Sequence, residues 1–442
     1  MENIELDLTI DNIGECKIDS PLLTKSPSTD FAFVADDKKV LYNVVHSANG
    51  PVGRENPTSF EKAGPRRKIF FDPGRARVAI ITCGGLCPGT NDVIRSLVME
   101  SHYRYGVQSI IGIRYGFLGL NPGTDYQPVS LTPEYVRDIH KMGGTILGSS
   151  RGGTDDMESI VDSLERQYIN ILYVIGGDGS LRAAHDIAVI ARRRRLKLSV
   201  IGIPKTIDND VSYIQRTFGF ETAFSRAVDS IYAAHIEAEG TPNGIGLVKL
   251  MGRHSGFIAA SSALAMNDVN FVLIPEVPFE LDGPNGFFHH LEQRLARRGH
   301  AVICVAEGAG QDILVKDPGK QGRDASGNIK LADIGLYLRD AISEYFKGKN
   351  IPVSVKYIDP SYLIRSAPAN PNDSFFCALL GQYAVHAGMA GKTDMIVGQW
   401  NNIFTHVPIG VVTSKRNQIN PHSRLWFNVL EATGQPADMR NG

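Results

Sequence analysis

This sequence has almost no net charge, little cysteine and no long apolar run. Among its 442 residues, 46 Lys and Arg stand against 47 Asp and Glu, a formal charge of −1. That balance removes any global pull toward nucleic acid or an anionic membrane, so an anion it binds must be met by local groups. The apolar stretches from Ile171 to Ile175 and from Ala301 to Ala306 fall far short of the ~20 residues a membrane helix needs. No membrane partner is therefore expected. The five cysteines (Cys16, Cys83, Cys87, Cys304, Cys377) are odd in number and lack CxxC spacing. This argues against a disulfide framework or a structural zinc site and points to a reducing, cytoplasmic setting. The opening residues, MENIELDLTIDNIGECKID, lack the basic start and apolar run of a secretory signal, and the ending DMRNG is no peroxisomal tripeptide.

What is present is a large apolar fraction, 43%, enough for an extensive core in two or three units. Glycine, at 45 residues, exceeds the usual ~7% and marks turns. Residues 1 to about 75, with SANGPVGRENPTSF and the basic patch Arg66, Arg67 and Lys68, read as an extension packed on the main body. From Arg77 a rhythm begins. The runs RVAIIT (77–82), QSIIGI (108–113), ILYVI (171–175), LSVIGI (198–203), IGLVKL (245–250), FVLIP (271–275), AVICVA (301–306) and VSVKY (353–357) are expected to be buried strands. Between them lie predicted helices, among them 156–168 with Ile160, Leu164 and Tyr168 on one stripe, and 220–236 with Phe220, Phe224, Val228 and Ile231. The alternation predicts an α/β protein with two doubly wound, mostly parallel sheets flanked by helices. The run Arg192 to Arg195 closes a predicted helix, where cations suit the dipole, and reads as a solvated terminus rather than a polyanion contact.

In open parallel sheets ligands bind outside the carboxyl ends of the strands, so the residues after each run matter most. After RVAIIT comes Cys83-Gly84-Gly85-Leu86-Cys87-Pro88-Gly89-Thr90-Asn91, opening a helix. Paired glycines let backbone N–H groups approach a phosphate, although a plain tight turn would use them too. After ILYVI comes Gly176-Gly177-Asp178-Gly179-Ser180, whose aspartate can serve a Mg²⁺ bridging phosphates. After LSVIGI comes Pro204-Lys205-Thr206-Ile207-Asp208-Asn209-Asp210. Two carboxylates flanking an amide permit one to accept a hydroxyl proton while the other serves a metal. Arg151, Arg253, Lys356, Tyr362 and Arg365 offer cations and a phenol for anionic oxygens, and Glu307 an acceptor for sugar hydroxyls. Together they suit a magnesium nucleotide on one side and a phosphorylated polyol on the other.

GGLCPGTN, GSSRGG, IGGDGS, PKTIDND, KLMGRHSGF, AEGAG and KYIDPSYLIR, in this order across roughly residues 76 to 410, resemble the 6-phosphofructokinase family. The resemblance implies phosphoryl transfer from Mg-ATP to the C1 hydroxyl of fructose 6-phosphate. It implies a nucleotide-binding domain at 76–219 plus 365–408, a sugar-phosphate-binding domain at 220–364 plus 409–442, and a homotetramer in the cytoplasm. By position, Asp208 would be the general base and Thr206 would help hold the sugar, with Asp178 and Asp210 serving Mg²⁺. Arg253 and Arg151 would stabilise charge on the transferred group, while Met251, Gly252 and Glu307 would shape and bind the sugar. Lys356, Tyr362 and Arg365 would clamp the 6-phosphate, and Gly85, Gly179 and Ser180 would line the nucleotide phosphates.

The family divides between ATP and pyrophosphate users. Pyrophosphate enzymes resemble one another in carrying Asp after GGD and Lys before TIDND, whereas this chain has Gly179 and keeps Lys205. A carboxylate at 179 would crowd and repel the α-phosphate of a nucleotide, so ATP is the expected donor. Small bacterial members carry Arg where this chain has Gly244, and Arg and His where it has Lys356 and Tyr362, so the 6-phosphate site is a variant; their separate effector site does not transfer either, and the regulator is open. A nicotinamide dinucleotide kinase would share the GGDG turn but lack PKTIDND and MGR. A catalytically silent regulatory subunit would have lost one of Asp208, Asp178, Arg253 or Arg151.

Overall fold

A computed structural model of the chain describes residues 6–25, 33–45, 58–315, 322 and 329–442. Much of the SANGPVGRENPTSF stretch, residues 47–57, lies outside the described residues. The chain forms two compact units. One comprises Met1–Thr206, Val211–Gly219 and Ala367–Arg416, and the other Ile207–Asp210, Phe220–Ser366 and Asn417–Gly442.

The first unit is built on a nine-stranded sheet in the order Lys39–Leu41, Ser59–Lys62, Ile403–Pro408, Met395–Trp400, Ser199–Pro204, Ile171–Gly176, Arg77–Thr82, Ser109–Ile113 and Val129–Ser130. The five strands from Met395–Trp400 to Ser109–Ile113 are parallel, and antiparallel strands extend the sheet at both edges. Ile171–Gly176 and Ser199–Pro204 are buried along their whole length, which is why they read as unbroken apolar runs rather than as alternation. Ile81, Val174, Val200 and Ile396 share a core with Leu181 and Ile187 of the helix Asp178–Arg193. Met395–Trp400 and Ile403–Pro408 carry little sequence signal, because Gly398 and Gln399 interrupt the first. Asn401 and Asn402, both at positive φ, close them into a tight hairpin.

The amino-terminal segment supplies Lys39–Leu41 and Ser59–Lys62 to this sheet and two short pairings, Asp11–Asn12 with Lys392–Thr393 and Ile18–Asp19 with Lys68–Ile69. Of its basic patch, Arg66 is buried: it meets Glu61 at 3.0 Å, and Glu61 also takes Lys392 at 3.0 Å and His406 at 2.9 Å. The predicted 156–168 helix spans Met157–Arg166, with Ile160 and Leu164 buried but Tyr168 exposed beyond its end at φ 54°. The Arg192–Arg195 run closes the helix Asp178–Arg193, where Arg193 and Arg194 pair with Glu158 and Arg192 with Asp11.

The second unit holds a four-stranded, wholly parallel sheet in the order Phe271–Leu273, His300–Ala306, Gly244–Leu250, Ser354–Ile358. Leu247, Ile303 and Val305 join Phe287, Leu291, Leu338 and Phe346 of the flanking helices in its core. Of the expected Phe220, Phe224, Val228 and Ile231 stripe on the helix Phe220–Glu239, only Ile231 is buried; Ala223, Ala227, Ala234 and Ala238 join it in place of the other three, which are half-buried. The alanines win because helix and sheet approach closely: a side chain at Gly246 would meet the Ala234 carbonyl at 2.6 Å. None of the described helices is long and apolar enough to cross a membrane.

Candidate active site

In the first unit the strands Ser199–Pro204, Ile171–Gly176 and Arg77–Thr82 are neighbours, so their carboxyl-end turns lie side by side. After Thr82 the chain bends through Gly84 at φ 83°, a value that favours glycine. The segment holding Arg151 lies against this bend: Gly84 N–H donates to the Ser150 carbonyl at 3.0 Å, and Cys83 and Ser150 form a parallel bridge. Lys205, 6% exposed, donates its ammonium to the Gly85 carbonyl from the other side. Burial pushes the Cys83 thiol up to about 12, so it is no nucleophile at neutral pH.

The GGDGS turn shows which glycines the chain itself requires. A side chain on Gly176 would strike Ser180 Cβ at 2.4 Å, whereas one on Gly179 would meet nothing within 4 Å. Gly179 is also inside the first turn of the helix Asp178–Arg193 and its φ is not positive, so neither packing nor backbone geometry demands glycine. Glycine there costs helix stability of roughly 0.5–1 kcal/mol relative to alanine, and the empty space beside it is the room a ligand would take. Asp178 Oδ2 accepts from Arg182 at 2.7 Å and Arg416 at 3.2 Å. Thr206 is anchored through its carbonyl, which accepts from Thr217 at 2.7 Å.

The second unit gathers the remaining charge. The strand Gly244–Leu250 runs into Met251, Gly252 and Arg253, and His300–Ala306 runs into Glu307. The two ends are cross-tied, Glu307 N–H to the Leu250 carbonyl at 2.8 Å and Gly308 N–H to the Gly252 carbonyl at 3.1 Å. Gly252, at φ 127°, and Gly308 allow this approach, since a side chain on Gly308 would sit 2.0 Å from the Arg253 carbonyl. The Ile207–Asp210 segment is fixed beside them: Ser255 donates to the Asp208 carbonyl at 3.0 Å and Asn417 N–H to the Asp210 carbonyl at 2.8 Å. Asp208 Oδ1 is enclosed. Burial raises the Asp208 carboxyl well above its ordinary range, and the charges of Asp210 and Glu307 raise it further against the opposing pull of Arg253. Burial likewise raises Glu307, opposed by Arg253, Lys249 and Arg365.

Arg365 stacks its guanidinium 5.1 Å over the Tyr362 ring, while Lys356 turns to Glu237 at 3.8 Å. Lys249, which opens the KLMGRHSGF motif but carries no role in the expectations above, sits between Asp333 and Asp359 at 2.9 Å each and adds positive charge near Glu307. Arg416, the partner of Asp178, lies in no motif and is brought there only by the return of the chain.

Glycine turns opening helices at parallel strand ends equip the first unit to meet phosphate groups, and the second unit separately gathers carboxylates with arginines. The comparisons with known proteins narrow the class. The sequence model of the phosphofructokinase family matches residues 77–388, and the chain belongs to that family. It is 50% identical to the ATP-dependent 6-phosphofructokinase of Borreliella burgdorferi, covering all of this chain and 99% of the relative. The enzyme of that name from Amycolatopsis methanolica is 49% identical, over 98% of this chain and 95% of the relative. Among solved structures, the pyrophosphate-dependent phosphofructokinase of Marinobacter aquaeolei superposes with a TM-score of 0.66 at 18% identity, over 81% of this chain and 91% of that one. Pichia pastoris phosphofructokinase in the T-state gives 0.63 at 20% identity, over 81% and 37%. At these identities the structures establish the fold alone.

Proposed function

We infer that the protein is a kinase that transfers the γ-phosphoryl group of ATP to the C1 hydroxyl of fructose 6-phosphate, giving fructose 1,6-bisphosphate and ADP. Relatives about half identical over their whole length carry the name ATP-dependent 6-phosphofructokinase, which favours this reading over the pyrophosphate one. The observation that carries the chemistry is the burial of Asp208 beside Asp210 and Glu307, which makes its carboxylate a stronger proton acceptor than an ordinary aspartate.

In this reading Asp208 takes the C1 hydroxyl proton as the new O–P bond forms and the bond to the β-phosphate oxygen breaks, its electron pair leaving on ADP. Arg253 and Arg151 stabilise the charge spread over the transferred group, so the barrier falls through positioning and electrostatics. Gly85, Gly179 and Ser180 line the donor phosphates, with Lys205 bracing the Gly84–Gly85 turn. Thr206, Met251, Gly252 and Glu307 hold the sugar, and Arg365, Tyr362 and Lys356 take its 6-phosphate. Mg²⁺ fits the donor sets: both arginines on Asp178 meet Oδ2 and leave Oδ1 to a cation, and the crowded carboxylates around Asp210 gain from one. Bound Mg²⁺ neutralises charge on the phosphate oxygens. A homotetramer, allosteric control and a cytoplasmic location complete the proposal, the last supported by five free thiols, four of them buried. A coupled assay with fructose 6-phosphate, Mg²⁺ and either ATP or pyrophosphate tests it. Turnover with ATP far above that with pyrophosphate is expected; no turnover with either would make the chain a silent subunit.

A further inference from the structure

We propose that the second unit carries a binding site for a zinc-class transition cation, formed by His235, Glu239, Asp268 and His300. His235 and Glu239 stand one turn apart near the end of the helix Phe220–Glu239. Asp268 follows the helix Phe257–Met266, and His300 opens the strand His300–Ala306. That strand is seven residues long, so His300 lies about 20 Å from Glu307 at its other end. The ligands are scattered over 66 positions, with only one HxxxE pair close in sequence, and no cysteine takes part.

The spacing favours a shared cation over direct hydrogen bonds. His235 Nε2 is 3.5 Å from Glu239 Oε2 and 4.0 Å from Asp268 Oδ1, and His300 Nε2 is 3.9 Å from Glu239 Oε1. All exceed hydrogen-bond length. Donor atoms of His235, Glu239 and His300 nonetheless lie within 4.8 Å of one another. Bonds of ~2.0–2.1 Å in a tetrahedral zinc centre place ligand atoms about 3.3 Å apart, so small side-chain adjustments close these three, and Asp268, 4.0 Å from His235 Nε2 but outside that close group, must swing further to take the fourth position. The Nδ1 of His235 is buried and makes no hydrogen bond, which leaves the polar chemistry of that ring on the Nε2 side. The imidazoles are 15% and 19% exposed and the carboxylates 52% and 37%, giving an enclosed floor and a path for entry. Two carboxylates balance a divalent charge, and imidazole nitrogen favours zinc over magnesium or calcium.

The test is a zinc titration of the full-length protein against a chromophoric chelator, after stripping with a stronger one. We expect one zinc per chain, a melting temperature raised by a few degrees, and at least tenfold weaker binding in Glu239→Gln and in His300→Asn. Glu239 is half exposed, so its variant should fold, and thermal melting of each metal-free variant checks this. Cobalt(II) in the same protein should show tetrahedral visible bands without thiolate charge-transfer absorption. The proposal is overturned by thiolate absorption, which would place the metal on Cys16 or another cysteine, by unchanged affinity in both variants, or by no zinc bound at tens of micromolar.

Discussion

Replacing Gly179 by aspartate separates the fold's needs from the donor's. A Cβ at this position meets nothing within 4 Å and the backbone is not at positive φ, so the substitution introduces no clash. An acidic residue in the first turn of the helix Asp178–Arg193 also suits its dipole, and together with the lost glycine penalty the fold should hold or gain up to about 1 kcal/mol. The cost should fall on ATP. A carboxylate about 4 Å from a phosphate charge at an effective dielectric near 20 opposes binding by roughly 4 kcal/mol, about a thousandfold. The assay is kcat/KM for ATP with fructose 6-phosphate saturating, alongside thermal melting and turnover with pyrophosphate. A loss of 10²- to 10³-fold with ATP, an unchanged melting temperature and a smaller loss with pyrophosphate are expected. ATP use within threefold of the parent would refute the steric and electrostatic reasoning for the donor.

Three further outcomes follow from the charged groups. Burial raises Glu307 and Asp208, so the folded protein holds their protons more tightly than the unfolded chain. Ligand-free stability should therefore fall as pH rises from the ordinary carboxyl range through the raised values. Glu307→Gln should raise the ligand-free melting temperature at pH 8 by roughly 1–3 °C and leave it unchanged near pH 4; a decrease at pH 8 would contradict this. Glu61 shows the opposite sign: burial pushes it up, but the His406 hydrogen bond and the Lys392 charge outweigh this and bring it down to about 2. On the order of 3 kcal/mol of stability should thus be present above pH 5 and lost as pH falls toward 2. Glu61→Gln, which leaves the buried Arg66 and Lys392 to share the carboxylate of Asp36, should cost about 2–4 kcal/mol in denaturant titrations at pH 7.

The eight β-branched runs mark eight strands to within a residue or two at each end; seven are buried along most of their length and so need continuous apolar sequence, whereas Ser354–Ile358, expected to be buried, is half-buried throughout. The strands Met395–Trp400 and Ile403–Pro408 were not legible, since glycine, glutamine and asparagine break their pattern and their place is set by pairing. Helix faces were legible only in part. Ile160 and Leu164 point inward as their spacing requires, but on Phe220–Glu239 the close approach to Gly246 selects alanines beside Ile231 over Phe220, Phe224 and Val228. In the candidate site, motif order was enough to nominate Asp208, Arg253 and Glu307. The cross-ties that set Glu307 beside Arg253, and the buried Lys205 beneath Gly85, are products of folding that spacing alone does not carry.

The most direct measurement is kcat for Asp208→Asn with saturating Mg-ATP and fructose 6-phosphate, read with the dissociation constant for the sugar phosphate. Amide for carboxylate keeps the shape and removes the proton acceptor, so kcat should fall ~10²- to 10⁴-fold with sugar affinity within a few fold. A kcat within tenfold of the parent would show that another group takes the C1 proton.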